Sequence, residues 1–272
     1  ICGVLKINET VDFSVLEKTL NIFVKNNDSF RIQIELKENS PVQYIKPFHS
    51  FHIPLDLIDT NEDLKFIEKS FSQEVFQLLN SPLFQFRIFK YKDGSGGFMA
   101  LMHHLISDAW SSGLLINQTM DIYHALLNNT PISTDFYSYT DYIQAEKEYC
   151  LSEKYKKDED FWLNQFSSIP EIATIPNPAM KQKKSNLAKR LTYSIDKEIL
   201  HMINTFCSTN KISIFNFFMG IFAIYIGKVC NLQEFVIGTP ILNRSSFKEK
   251  HTTGMFISTV PFKINLSYNS TF

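Results

Sequence analysis

The amino-acid sequence predicts an α/β protein built as two lobes. Segments in which apolar and polar residues alternate, as they do in strands, are followed by segments whose apolar residues recur at helical spacing. One stretch, 167–185, has neither period and contains three prolines and a basic cluster. The chain of 272 residues is long enough for two packed units. We expect a first lobe over 1–170, a linker over 171–186 and the start of a second lobe over 187–272.

Strand-like and helix-like segments follow one another through both lobes. A hairpin turn is expected at 93–97, where Asp-Gly-Ser-Gly-Gly separates two apolar runs. The expected strands are 1–7, 30–36, 42–45, 83–91, 98–102, 187–195 and 234–237. The expected helices are 12–26, 61–79, 109–128, 142–155, 197–209 and 212–229.

Composition excludes several classes of protein. The net charge is −1 and the longest basic run is Lys181–Lys184, so we expect no nucleic-acid surface. The apolar run 212–229 is interrupted by Ser213, Asn216 and Lys228, which favours a buried helix over a membrane span. The four cysteines lack the spacing of a metal site. They indicate free thiols and a cytoplasmic protein.

Both ends of the sequence indicate an internal piece of a longer protein. The chain begins at Ile1, inside an apolar run and without an initiator methionine, and it stops at Phe272 soon after a strand.

A histidine pair stands where the second hairpin strand meets the next helix. His103 and His104 follow the apolar run, and Asp108 precedes the helix that begins near Ala109. An imidazole beside free helix-start N–H groups is suited to chemistry. Because strand side chains alternate, only one of the two histidines can face a given cavity. A purely structural interpretation is also open, in which Asp108 or Ser107 caps the helix and a histidine is a core residue.

The segment His103–Ala109 resembles the HHxxxDG signature of the condensation domains of nonribosomal peptide synthetases. Four further segments resemble elements of that family in the same order. They are Asn26–Arg31 (RHExLR), Tyr139–Tyr142 (YxDY), Ile237–Arg244 (IGTPxxxR) and Gly254–Phe262 (GxFVNTLPLR). The chain departs from the family pattern at Ala109, which replaces a glycine, and at Ser258, which replaces an asparagine. In Asn26–Arg31 only the final arginine and an acidic residue match the family.

The resemblance implies a fold like that of chloramphenicol acetyltransferase, with two lobes in a V and a tunnel between them. It implies formation of an amide bond, in which a carrier-bound amine attacks a carrier-bound acyl or peptidyl thioester. No cofactor is expected to bind directly, since phosphopantetheine arms of donor and acceptor carrier domains bring both substrates. Adenylation domains are expected neighbours, and no metal or membrane is expected to take part.

The resemblance also implies roles for individual residues. His104 is expected to accept a proton from the amine or to orient it, while His103 points away and braces the loop. Asp108 is expected to pair with Arg31 and to cap the helix. Further support is expected from Ala109, Tyr139, Asp141 and Arg244, and the tunnel is expected to be lined by Gly254, Phe256 and Ser258.

Two other functions stay open at this point. One is a stand-alone acyltransferase with the same HHxxxD motif, acting on coenzyme A or another thioester. The other is a non-catalytic relative that recruits or docks a partner.

Overall fold

The computed structural model describes residues 1–132, 136–175 and 191–267. The chain forms two compact units. The first consists of Ile1–Lys156 together with Ile241–Ser258, and the second of Lys157–Pro240 together with Thr259–Phe272. This division differs from the expected boundary at residue 170 and from the expected assignment of 241–258 to the second lobe. Residues 241–258 return to the first unit because Arg244 and Phe256 are bonded within it. Of the expected linker, residues 176–186 lie outside the described residues.

The described elements alternate as the sequence predicts. In the first unit they are β1 (Cys2–Ile7), α1 (Phe13–Asn26), β2 (Ile32–Lys37), β3 (Ser40–Ile45), β4 (Leu55–Ile58), α2 (Asn61–Phe71), β5 (Phe84–Tyr91), β6 (Gly96–Met102), α3 (Ala109–Leu127) and α4 (Tyr139–Cys150). There follow α5 (Glu153–Gln165), α6 (Lys197–Asn210), α7 (Ile214–Cys230), β7 (Glu234–Ile241), α8 (Phe247–His251) and β8 (Ser258–Asn265). Of these, α8 lies in the first unit. The α/β class is confirmed.

The first unit contains a four-stranded sheet with the order β1-β6-β5-β4. Strand β6 pairs with β1 and β5 in antiparallel register, whereas β4 runs parallel to β5. One sheet face packs against α1 and α3 through Phe23, Phe98 and Ile122, and the other packs through Phe71 and Met99. Because both faces are covered, all seven residues of β6 are buried, which explains its unbroken apolar run.

Several predicted elements differ in extent. Helix α2 begins at a capping box formed by Thr60 and Asp63 and ends at Phe71, so the helix predicted to reach residue 79 is wrong beyond this point. The predicted extension includes Val75, which is 91% exposed. Its side chain therefore adds no packing that would continue the helix. The helix predicted over 142–155 is two helices, separated at Leu151 and Ser152. In the strand predicted over 187–195, residues 191–195 are irregular and the others lie outside the described residues.

The second unit has a small core of its own. Ala223 and Ile226 of α7 pack there with Phe235 of β7 and Ile264 of β8. The prediction of a buried helix over 212–229 is wrong, since only three residues of α7 are buried. Large apolar side chains of α7, including Phe215 and Phe222, are exposed.

In the described part of the chain, no single helix has the length and apolar composition of a membrane span; α6 and α7, bent by 102°, meet that test only as a pair.

Candidate active site

The loop 103–108 connects the end of β6 to the start of α3, as predicted. The backbone N–H of His103 donates to the Leu83 carbonyl at 2.8 Å, and that of Ile106 donates to the His103 carbonyl at 3.1 Å. Burial divides the loop into two halves. His104 and Leu105 are exposed, while Ile106, Ser107 and Asp108 are completely buried.

His103 is bonded within the loop itself. Its Nδ1 accepts a hydrogen bond from the Leu105 backbone N–H at 3.1 Å, and its ring meets the edge of Phe76 at 5.8 Å between centroids. Because Nδ1 acts as an acceptor, the ring is neutral and carries its proton on Nε2. Burial lowers the pKa of His103, and the neighbouring His104 lowers it further. These contacts agree with the expectation that His103 braces the loop.

His104 differs from its neighbour in having an exposed side chain. No hydrogen bond joins its ring to any described residue, so both ring nitrogens are open to a substrate. An imidazole in this state can accept a proton or donate a hydrogen bond near neutral pH.

Asp108 is the N-cap of α3 and lies at the centre of a buried hydrogen-bond network. Its Oδ1 accepts from the Ser111 backbone N–H at 2.8 Å and its Oδ2 from the Phe256 N–H at 3.1 Å. Burial by itself would raise the pKa of the carboxyl group. The hydrogen bonds from Ser111 and Phe256, together with the charge of Arg244, outweigh burial and lower it. Asp108 is therefore held as a carboxylate.

The ionic partner of Asp108 is Arg244. Nη2 of Arg244 lies 3.1 Å from both carboxylate oxygens, and both side chains are fully buried. The same Nη2 reaches Ser111 Oγ at 3.0 Å and the Gly254 carbonyl at 3.2 Å. Nη1 donates to the carbonyls of Glu249 and Thr252. These carbonyls fix the guanidinium in place against the carboxylate.

The predicted pair of Arg31 with Asp108 is wrong. Arg31 ends a short 3-10 turn before β2, and its Nη1 donates to the Lys46 carbonyl at 3.1 Å. It is held at the β2–β3 hairpin, whereas the buried aspartate is satisfied by the segment 244–256. Arg244 was expected to give general support, and its direct bond to Asp108 was not anticipated.

Tyr139 carries the network on to α4. Its hydroxyl donates to the Met255 carbonyl at 2.7 Å, and its ring lies 5.3 Å from that of Phe256. Burial raises the pKa of Tyr139 to about 12, so the hydroxyl stays protonated and can donate. Gly254 has a φ of +149°, and a Cβ there would come within 2.3 Å of the Tyr139 ring. This position requires glycine.

Asp28 is a supporting residue that the sequence did not reveal. Its Oδ1 accepts from the Tyr139 backbone N–H at 2.9 Å, and its Oδ2 accepts from Ser138 Oγ. Asp141, which the resemblance offers as a supporting residue, is exposed at the start of α4, and its role stays a prediction. The available signal is the match of Asn26–Arg31 to the family's RHExLR segment, in which Asp28 is the acidic residue.

Asn27, next to Asp28, bridges three segments of the first unit. Its Nδ2 donates to Gln118 Oε1 at 2.9 Å, and its Oδ1 accepts from Thr253 Oγ1 at 3.0 Å. Ser29 Oγ lies 2.7 Å from the same Thr253 hydroxyl. The end of α1 therefore holds α3 and the segment 252–256 together.

The remaining predicted residues have different environments. Ala109 is the first residue of α3, is exposed and has no positive φ, so the predicted helix start is confirmed. Gly254 and Phe256 are buried in the first unit, and the Arg244 guanidinium lies 3.8 Å from the centre of the Phe256 ring. Their place in a tunnel wall stays a prediction. Ser258 is the exposed first residue of β8. Among the described residues, no three His, Cys, Asp or Glu side chains cluster as a metal site would require.

Comparison with known proteins decides the family. The family model described as "Condensation domain" matches residues 2–272. The chain belongs to the condensation domain family. It is 32% identical over 280 residues to surfactin synthase subunit 1 of Bacillus subtilis, covering 99% of this chain and 8% of that protein. It is 31% identical over 274 residues to one of the plipastatin synthase proteins of the same organism, covering 98% of this chain and 11% of that protein.

A solved structure supports the same fold. The first condensation domain of the calcium-dependent antibiotic synthetase matches with a TM-score of 0.78 and 17% identity, covering 98% of this chain and 64% of that chain. This condensation domain thus spans about a tenth of the length of the synthetases it matches and about two thirds of the solved domain. The two-lobed α/β fold of the family is confirmed.

Proposed function

We propose that this condensation domain forms an amide bond between two substrates carried as thioesters. The acceptor amine attacks the donor thioester carbonyl, the C–S bond breaks, and the donor carrier leaves as a free thiol. The amine loses one proton and the thiolate takes up one, so the reaction is balanced. Because a thioester is already activated, the reaction needs no covalent enzyme intermediate; it needs positioning and exclusion of water.

The observation that carries the proposal is the exposed His104 on a loop whose other half is buried and bonded. His104 orients the amine or takes up its proton, which an imidazole can do near neutral pH. His103 fixes the loop through its bond to Leu105 and does not touch the substrate. Asp108 stays behind the loop, where its charge is balanced by Arg244 and does not oppose the developing oxyanion.

The start of α3 supplies a second chemical feature. The first backbone N–H groups of a helix have no intrahelical acceptor, and at Ala109 they follow directly on the histidine loop. We assign the Ala109 N–H as a candidate donor to the oxyanion of the tetrahedral intermediate. The exposed methyl of Ala109 narrows the space that a glycine would leave.

The substrates and partners follow from the family. The matched relatives are synthetases roughly ten times longer than this chain, which supports donor and acceptor carrier domains, with phosphopantetheine arms, as the partners. Adenylation domains would load the carriers. A stand-alone acyltransferase would need a binding site for free coenzyme A. A domain that only recruits a partner would not need an exposed His104, so the exposed His104 favours catalysis.

The test is a condensation assay with a complete domain that contains this sequence. One carrier is loaded with a donor acyl group and a second with a panel of aminoacyl acceptors, and the product is identified by mass as the amide on the acceptor carrier. We expect product only when both carriers are present. Equal product from acyl coenzyme A and a free amine would instead identify a stand-alone acyltransferase.

A further inference from the structure

A cavity lies in the first unit beside the β2–β3 hairpin, and the proposed reaction does not use it. It has a volume of about 300 Å³, within the range of small-molecule sites. Its walls are largely aromatic and are supplied by Phe30, Phe48, Phe51 and Phe84. We call it the Arg31 cavity, because that arginine lies in its lining.

The charge of the lining has one sign. The cations Arg31 and Lys46 line the cavity together with His49, and no aspartate or glutamate does. Arg31 is the most informative of the three. Its Nη1 is used by the Lys46 carbonyl, whereas its Nε is buried and has no hydrogen-bond partner in the described part of the protein.

A buried N–H without a partner is costly, the more so on a charged group. The Nε and Nη2 hydrogens of a guanidinium form a planar edge that matches a carboxylate with two parallel hydrogen bonds. In Arg31 this edge has no bond to any described residue. Nη2 has no bond to any described residue, so a carboxylate in the cavity can pair with it and balance the charge of Arg31 and Lys46.

We propose that the Arg31 cavity binds a small carboxylate with an aromatic or branched apolar body. The carboxylate pairs with Arg31, and the apolar body packs on the phenylalanines. The site is distinct from the histidine loop, since the two sites share no lining residue, and it does not depend on the proposed condensation.

The probes for the test are phenylacetate, phenylacetamide and acetate. Phenylacetamide keeps the shape and loses the charge, while acetate keeps the charge and loses the apolar body. Binding to the whole chain is followed by ligand-detected NMR and by the shift in melting temperature. We expect phenylacetate to bind about tenfold or more tightly than either analogue, because a hydrogen-bonded charge contributes that much.

Two arginine variants separate the cavity from general charge effects. Arg31→Gln is expected to weaken phenylacetate by about tenfold to a hundredfold. Arg87, on β5, pairs with Asp56 of β4 at 3.2 Å and does not line the cavity. Arg87→Gln is therefore expected to leave the affinity for phenylacetate unchanged. Equal loss in both variants, binding of phenylacetamide as tight as phenylacetate, or no binding of phenylacetate to the parent chain would each overturn the proposal. The probe comparison on the parent protein decides it even if Arg31→Gln does not fold.

Discussion

The two halves of the histidine loop are adjacent in sequence and opposite in environment. His104 and Leu105 are exposed, and no described residue hydrogen-bonds the His104 ring. Four residues after His104, Asp108 is fully buried and accepts hydrogen bonds from Ser111, Arg244 and Phe256. A short motif thus contains one side chain that is exposed and one that is fully buried.

This contrast separates chemistry from support. A side chain that must meet substrates has to stay accessible, and so few contacts hold it in place. The backbone beneath it therefore has to be fixed by other residues, and a buried, fully bonded carboxylate does this. Substitutions in the two halves should consequently change different measurements.

His104→Ala is expected to have the largest effect on the rate and almost none on stability. Loss of a positioned acid–base group lowers the rate by about 10²–10⁴-fold, while removal of an exposed side chain changes the free energy of unfolding by roughly 0.5 kcal/mol or less. The measurements are single-turnover condensation in a complete domain and thermal melting. A variant that condensed at the parental rate would assign the chemistry elsewhere.

Asp108→Ala is expected to act through stability. It leaves Arg244 buried without its counter-charge and removes the cap of α3, which costs about 3–5 kcal/mol. Thermal or urea unfolding measures this loss. Asp108→Asn keeps the cap and loses only the charge, so its loss should be smaller.

A matched arginine pair tests which partner Asp108 has. Arg244→Gln should destabilise the protein by a comparable amount, whereas Arg31→Gln should have much less effect. The reverse order would restore the pair that the sequence predicted.

The pH dependence of unfolding sharpens the same point. The pKa of Asp108 is lowered in the folded protein, below about 3.9 for an unfolded aspartate. Its contribution is therefore fully present above pH 4 and is lost as the pH falls through the folded-state value. The difference in unfolding free energy between the parent and Asp108→Asn should shrink below about pH 4. A difference that stayed constant down to pH 2 would contradict this.

Gly254→Ala is expected to cost about 1–3 kcal/mol. The positive φ is strained for alanine, and the new methyl meets the Tyr139 ring. Gly3→Ala is the matched control, because a Cβ at Gly3 meets nothing within 4 Å. Equal melting temperatures for the two variants would show that the segment 252–256 adjusts to the new methyl at little cost and does not fix the position of Asp108.

The smallest expected effect belongs to Ala109. Ala109→Gly should lower stability by about 0.4–1 kcal/mol through the entropy of the unfolded chain and should preserve condensation. Gly113→Ala, at an exposed position inside the same helix with open space around it, should raise stability by up to about 1 kcal/mol. Melting of both variants checks the opposite signs. A more stable Ala109→Gly protein would mean that the helix start is strained.

The sequence predicted features that depend on neighbouring residues. Strand β6, the turn before it and the start of α3 follow from an apolar run, a glycine-rich turn and an N-cap aspartate, all of which are local signals. Ser213 caps its helix as its position before the apolar run indicates, whereas Asp196 makes no side-chain hydrogen bond at the start of α6. The order of the two histidines and Asp108 along the chain placed the loop correctly.

Features that depend on tertiary packing were missed. The four-residue strand β4 is too short for a period to be recognised. The residues after Phe71 keep a helical spacing, although among them Val75 is 91% exposed. Asp108 and Arg244 are joined by packing alone, so neither periodicity nor spacing could select Arg244 over Arg31.

The distance along the chain between Asp108 and Arg244 has a consequence for biosynthesis. The two residues are 136 positions apart, and a ribosome adding about 5–20 residues per second needs roughly 7–27 s to cover that interval. When Arg244 is added, the residues of β1 to α4 have already been synthesised, and until then Asp108 has no Arg244 to pair with. The histidine loop therefore reaches its final form late in translation. A nascent chain arrested before residue 244 should hold the loop open to proteases, and one arrested well beyond residue 256 should protect it.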